Sequence, residues 1–446
     1  MRSMFNHRIP RAGLANRIFL VISFSLATNS TMALQDNFNL TGFNIAVGND
    51  GPAEALQNPA YISLPISSNY YEISSDHTLN LLRLGEISSL SGSSLNSGSQ
   101  YTGNLGFTYH NVAGNWLHIA AVFGGQDNPV VQSASLSGGV QKPFANVSTY
   151  TTDTASISTR ANEISGALGF GFRLSKLHRF GLSFQTASRT ASTGYTANIA
   201  GSTAASVAVT STIDISSSSK SLYLNPVLGY VYNQKDGDIG IVIKPYPVQQ
   251  LTRSRNFNFN YTSTATTTIN ETTTSSIALL DRPSIAAGFS QEFFRRFRLF
   301  AGSEVGVPFQ KSHSDHTISG STVSEINVLE KYGPSFKVSL GGSVTILDWI
   351  SGYGGLSMKT ATIETSSGNS AQSYLQFKDK TSTSWVGNIG VGFFNADPYY
   401  AYIGFGYSYL LENEPIVTRS SNSTDNRGIQ LRVEGYLMTI GGRYVF

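Results

Sequence analysis

The sequence predicts an all-β chain, a transmembrane antiparallel β-barrel of about fourteen strands with a small polar plug ahead of the first. Three observations carry this. Apolar and polar residues alternate with period two in runs of about ten, the length of a tilted strand crossing a bilayer. Charged residues make up only 13 % of the chain, against about 25 % in a soluble domain, while Gly (43), Tyr (22) and Phe (26) are plentiful. A mean hydropathy of -0.08 shows that apolar and uncharged polar residues are mixed along the chain, as in a wall with lipid outside and water inside.

Residues 1–33 read as a secretory signal peptide. Arg2, Arg8, Arg11 and Arg17 precede an apolar run from Ile18 to Leu26, and Thr31-Met32-Ala33 offers small residues for cleavage. The run is too short for a membrane-spanning helix. The chain has no cysteine, so disulfides, lipidation on Cys and thiol chemistry are excluded. A net charge of +3 is too small to argue for nucleic acid.

Residues 34–66 do not alternate. They hold Gly48-Asn49-Asp50-Gly51-Pro52, a helix-compatible run 53–57, and then Asn58-Pro59-Ala60, with the helix expected to stop before Pro59. A polar piece of this size before a barrel wall is expected to fold back into the lumen as a plug. Residues 67–446 form the wall.

The wall runs in pairs. Strands are expected at 69–82, 101–110 and 116–125, then at 164–174 and from Phe180, where Ile164, Leu168, Phe172 and Phe184 fall on one face. Further pairs are 222–232 with 239–248, 283–292 with 297–307, 336–346 with 351–363, and 385–394 with 400–410. The last strand, 436–446, puts Phe446, Tyr444, Ile440 and Met438 on one face and Arg443 on the other. With Gly441, Tyr444 and Phe446 at their offsets, it resembles the insertion signal of bacterial outer-membrane barrels, which the assembly machinery reads. An even strand number places both termini on one side, expected to be the periplasm. Seven intervening segments, 85–100, 126–160, 190–220, 251–281, 310–333, 364–384 and 412–427, are expected as structureless outer loops.

Asn58-Pro59-Ala60, after a Gly/Asp-rich stretch and ahead of fourteen strands, resembles the FadL family of outer-membrane transporters for long-chain fatty acids and other hydrophobic compounds. The resemblance implies a hatch at 34–66 carrying Asn58, Pro59 and Ala60, a cavity lined by hatch and wall, and sideways release beside a kinked third strand. The chain departs from the pattern in having Tyr61 after the tripeptide and in having polar outer segments at 190–220 and 251–281.

Candidate sites follow from facing. The third strand ends in Gly124-Gly125, where glycine weakens pairing, so these two mark a candidate lateral opening. Pro245-Tyr246-Pro247 is a second weak point, since each Pro removes a ladder donor. Arg173, Lys244, Glu304 and Arg443 fall opposite the apolar face, toward the lumen, and are candidate contacts for a ligand carboxylate. No metal site is assigned: His313-Ser314-Asp315-His316 gives three candidate ligands on a polar segment without a fourth partner. No cofactor is expected. Neither a nucleophile elbow nor paired carboxylates stand out, so the chain is not read as an enzyme.

The expectation is thus a monomeric outer-membrane conduit for a hydrophobic small molecule, surrounded by outer-membrane lipid. The alternative is a surface interaction or secretion-associated barrel, PorV-like or adhesin-like, that uses its polar outer segments. An open porin is disfavoured by the plug.

Overall fold

A computed structural model describes residues 45–47, 57–63 and, from 70 to 445, all but 85–96, 113–115, 135–146, 204–207, 246–247, 262–270, 281, 295, 320–321, 370–371, 394–398 and 421–422. Residues 1–33, expected as a signal peptide, the run 53–56 and Phe446 lie outside the described residues.

Seventeen strand segments form one antiparallel sheet. They are β1 (Tyr70–Leu84), β2 (Ser97–Val112), β3 (Leu117–Ala134), β4 (Val147–Arg173), β5 (His178–Thr203), β6 (Ala208–Gln234), β7 (Gly237–Lys244), β8 (Val248–Tyr261) and β9 (Glu271–Leu280). The series continues with β10 (Ser284–Phe293), β11 (Phe297–Gly306), β12 (Phe309–Ser319), β13 (Thr322–Leu347), β14 (Ile350–Asn369), β15 (Gln372–Phe393), β16 (Tyr399–Ser420) and β17 (Ser423–Val445). Three pairs, β7/β8, β9/β10 and β11/β12, are halves of one wall strand, which leaves fourteen strands in the wall. β1 pairs with β2 and also with β17, from Glu72↔Val445 to Leu84↔Val433, so the first strand joins the last.

The pleat decides what faces lipid. On β7, Ile239, Ile241 and Ile243 are exposed while Asp238, Gly240 and Val242 are buried. On β10, Ile285 and Phe289 point out and Ser284, Ala286, Gly288 and Ser290 point in. Slipping either strand by one residue would put these isoleucines in the lumen and Asp238 in lipid, so the register is fixed by solvent on each side. Trp116 stacked on Phe172, Phe294 in its turn at φ 55° and Trp349 sit at the short-turn ends, as an interfacial aromatic girdle does.

The seven segments expected as structureless are corrected: most of their residues are strand. β4 and β6 each run for 27 residues, and β4 pairs with β5 from Val147↔Thr203 to Arg173↔Arg179. At 3.3 Å per residue a strand of that length is about 90 Å long, far more than a bilayer requires. Ser and Thr alternating on both faces suit a hairpin wet on both sides, and β-branched Thr favours the extended backbone. Length and polarity were read as loop where they mark hairpins.

The expected end of the third strand at Gly124-Gly125 is also corrected. β3 runs through both glycines, which pair with Ser165 and Ile164 on β4 and with Gly106 and Leu105 on β2. β2–β3 pairing lapses further on, between Gly103↔Asp127 and Gln100↔Val130, opposite Pro129. Pro59 opens a 3-10 turn over Pro59–Ser63, its fixed φ suiting a first position; the helical run expected before it lies outside the described residues save Gln57.

Candidate functional site: the two ends of the lumen

Near the short turns, the described N-terminal residues are seated on bare backbone. Gly171 on β4, Gly181 on β5 and Gly229 on β6 are successive partners across the wall, and so are Gly240 on β7, Gly288 on β10 and Gly302 on β11. A Cβ at Gly181 would overlap the backbone of Pro59 and Ala60; one at Gly240 would overlap the carbonyl of Ala46. These glycines are spaces reserved for another piece of chain. Ile45, Ala46, Val47, Ala60, Tyr61 and Ile62 are all buried against them.

Polar bonds hold the piece in place. Asn58, 1 % exposed, donates from Nδ2 to Ala46 O at 2.7 Å and to Tyr230 O on β6 at 3.3 Å, and its Oδ1 accepts from Ala60 N at 3.1 Å. Ala46 has φ 62°, a left-handed conformation unusual for a residue with a Cβ, and the Asn58 bond fixes its carbonyl. Asn58→Ala is expected to destabilise this seat by about 1–3 kcal/mol through stranded buried groups, read as faster protease cleavage of the N-terminal segment in the folded barrel.

Tyr61, the departure from the FadL pattern, donates its hydroxyl to Asp238 Oδ2 at 3.4 Å. The same Asp238 oxygen pairs with Arg298 Nη2 of β11 at 3.1 Å, and Oδ1 accepts from Asn233 Nδ2. On the opposite flank His110 donates from Nε2 to Ile62 O at 3.2 Å; the carbonyl can only accept, which sets the tautomer. His118 lies against His110, ring centroids 5.5 Å apart. Asp238, Arg298 and His110 were missed in the sequence reading. Asp238 carried a signal: it is an acid inside an apolar alternation, on the phase opposite Ile239 and Ile241.

At the far end of the same strands stands a cationic patch. Lys244 Nζ lies 3.4 Å from Glu304 Oε1, which also accepts from Ser284 Oγ at 2.7 Å. Glu304 pairs across the ladder with Lys337 on β13, and Lys337 with Lys359 on β14. Arg282 lies over Gly306, donates from Nη2 to Thr362 O at 2.6 Å, and sits 5.2 Å above the Tyr332 ring, which stacks on Phe309 at 4.5 Å. Among the described residues this patch sets four cations, Arg282, Lys244, Lys337 and Lys359, against one carboxylate.

The structure thus joins Lys244 to Glu304 and separates the other expected lumen contacts from them. Arg173 closes β4 at a short turn, near the N-terminal seat and opposite Arg179. Arg443 pairs through its backbone with Ser74 and Tyr400, and its side chain lies outside the described residues. Gly441 pairs with Asp76 and Tyr402, while Tyr444 points outward, 40 % exposed. His313, Asp315 and His316 pair through their backbones with Val328, Ile326 and Glu325 on β13, and their side chains lie outside the described residues.

No protein-family model matches the sequence, and no curated protein does. Solved structures do match over nearly the whole chain. They include a Pseudomonas aeruginosa FadL homologue (10 % identity, TM-score 0.53, covering 90 % of this chain and 96 % of that one). The Ralstonia pickettii toluene transporter TbuX (14 %, TM-score 0.50, 92 % and 100 %) and the monoaromatic hydrocarbon channel CymD (13 %, TM-score 0.51, 92 % and 99 %) match similarly. At these identities the likeness establishes the fold, a FadL-like barrel.

Proposed function

We propose that this FadL-like barrel is a passive outer-membrane conduit for hydrophobic small molecules, long-chain fatty acids among them. In this reading residues 1–33 are a signal peptide, 34–66 a hatch and 67–446 the wall, with both termini and the short turns in the periplasm. The observation that carries it is the glycine-lined seat: wall residues give up their side chains so that an N-terminal segment can occupy the lumen near the short turns. Such a barrel passes ligands by rearrangement, driven by burial of apolar surface at about 25 cal/mol per Å². Among the structural neighbours are a toluene transporter and a monoaromatic hydrocarbon channel, and the Lys244–Glu304 patch adds charge suited to a carboxylate.

The test is uptake of radiolabelled oleate and toluene by cells lacking their own transporter and carrying this protein at verified surface levels. Uptake of either above vector controls is expected, with loss in the Asn58→Ala/Pro59→Ala double variant. No uptake of both compounds by a correctly assembled barrel would overturn the conduit. The second reading, a surface interaction barrel, draws on the 27-residue strands β4 and β6, whose polar hairpins project well past the membrane. It expects shortening of these hairpins to abolish attachment to a partner while Asn58 variants stay neutral.

A further inference from the structure

The wall strand made of β9 and β10 and its neighbour made of β11 and β12 stay in step but part company midway. β10 pairs with β11 up to Ser284↔Gly306, and β9 pairs with β12 only at its start, Glu271↔Ser319 to Thr274↔His316. Between these zips, among the described residues, the bond from Val307 N to Pro283 O at 2.8 Å joins the two strands at the lower end. Above it residues 275–280 and 309–315 share no ladder pairing, though each keeps its other neighbour: β9 pairs with β8, and β12 with β13. On β9 the six unpaired residues cover about 20 Å of strand at 3.3 Å per residue.

Its sill has a cause in the sequence. Pro226 on β6, Pro245 after β7, Pro283 before β10, Pro308 before β12 and Pro334 on β13 come level with one another across five adjacent wall strands. Proline has no N–H to give to a ladder. Below the sill β10 and β11, ten residues each, tilted at about 45°, span about 23 Å, close to the height of an outer-membrane apolar band. The parting therefore opens at the rim of the apolar band on the side of the long hairpins. Outside, Ile285, Val305, Val307 and Phe336 make an exposed apolar apron under it. Inside, Arg282, Lys244, Lys337 and Lys359 stand at the same level.

We infer that the parting between β9 and β12 is a side entrance for an amphiphile with an apolar chain and one anionic head, taken from the outer membrane surface head first. The tail keeps to the apolar apron while the head exchanges water for the Arg282 and lysine donors, and the chain follows into the lumen. The inference rests on the conduit reading and adds to it the route of entry.

The chain lacks cysteine, so engineered pairs report cleanly. Ala278→Cys with Ser312→Cys places two thiols opposite each other across the parting; Ser312→Cys with Leu329→Cys places them across the intact β12–β13 ladder. Under mild oxidation the ladder pair should close quickly and the 278/312 pair slowly, because Cα separations beyond about 7 Å do not admit a disulfide. Bridging 278/312 with a flexible bis-methanethiosulfonate should then abolish oleate uptake, restored by reductant, while toluene uptake and the ladder pair's oleate uptake persist. Equal closure rates of the two pairs would overturn the entrance and leave the conduit standing. So would full bridging with unchanged oleate uptake. A slow 278/312 pair in a barrel that takes up neither compound even unbridged would refute the conduit, and the entrance with it.

Discussion

Gly181→Leu is expected to unseat the N-terminal segment while leaving the wall assembled. A side chain there meets the backbone of Pro59 and Ala60, which have no rotamer to move, so accommodation requires the whole turn Pro59–Ser63 to shift. Overpacking of this kind costs about 1–3 kcal/mol or more, and each 1.4 kcal/mol changes a two-state ratio about tenfold. In planar bilayers the wild-type barrel should conduct ions poorly; the Gly181→Leu barrel should conduct at least about tenfold better, the ratio that follows from the lower half of that range. Gly181→Ala tests the same overlap with a single methyl and should give a smaller change. The Gly352→Ala variant, where an added Cβ meets only the side-chain ends of Val344 and Ile346 and no backbone, is the control and should behave as wild type. Wild-type conductance in Gly181→Leu would mean that the segment does not close the lumen.

The second large effect is expected at Asp238. This carboxylate is 8 % exposed and receives Arg298, Asn233 and Tyr61 at once. Asp238→Ala leaves the Arg298 guanidinium in the wall without its acid, and removing one member of a buried ion pair costs about 3–5 kcal/mol. The Arg298 side chain is 20 % exposed, so the lower end of that range applies. The expected result is a lowered urea midpoint for the folded barrel, seen as its gel-mobility shift, together with looser N-terminal segment packing. Pairing Asp238→Ala with Arg298→Met should recover a large part of the loss, because the stranded charge is gone. If the double variant is no better than the single one, the hydrogen bonds from Asn233 and Tyr61 carry the effect.

How much of this was legible in the sequence differs by element. The strands β10 and β11 were placed to within one residue at each end, because lipid on one face and water on the other leave a period-two trace in every side chain. Lys244 and Glu304 could be assigned to the lumen by the same parity. Their meeting at 3.4 Å could not, since the residues are 60 apart in sequence and neighbours only through the β7–β10–β11 registers. The glycines of the seat were visible singly but not as a belt. Gly181, Gly229 and Gly240 become one surface only after pairing aligns them, and in a chain with 43 glycines no single one stands out. The polar segments failed as strands for a related reason: with water on both faces there is no apolar phase to read.

By itself, then, the sequence determined the barrel class, the facing of each membrane strand and the place of Asn58-Pro59-Ala60 ahead of the wall. These depend on local periodicity and on solvent, which act residue by residue. Only the tertiary structure decided which residues meet around the ring: Asp238 with Arg298 and Tyr61, Lys244 with Glu304, and five prolines gathered at one level beside the parting of β9 and β12. Register between strands is a property of pairs, summed over neighbours far apart in the chain, and a one-dimensional pattern carries the facing of a strand without carrying its height against the next.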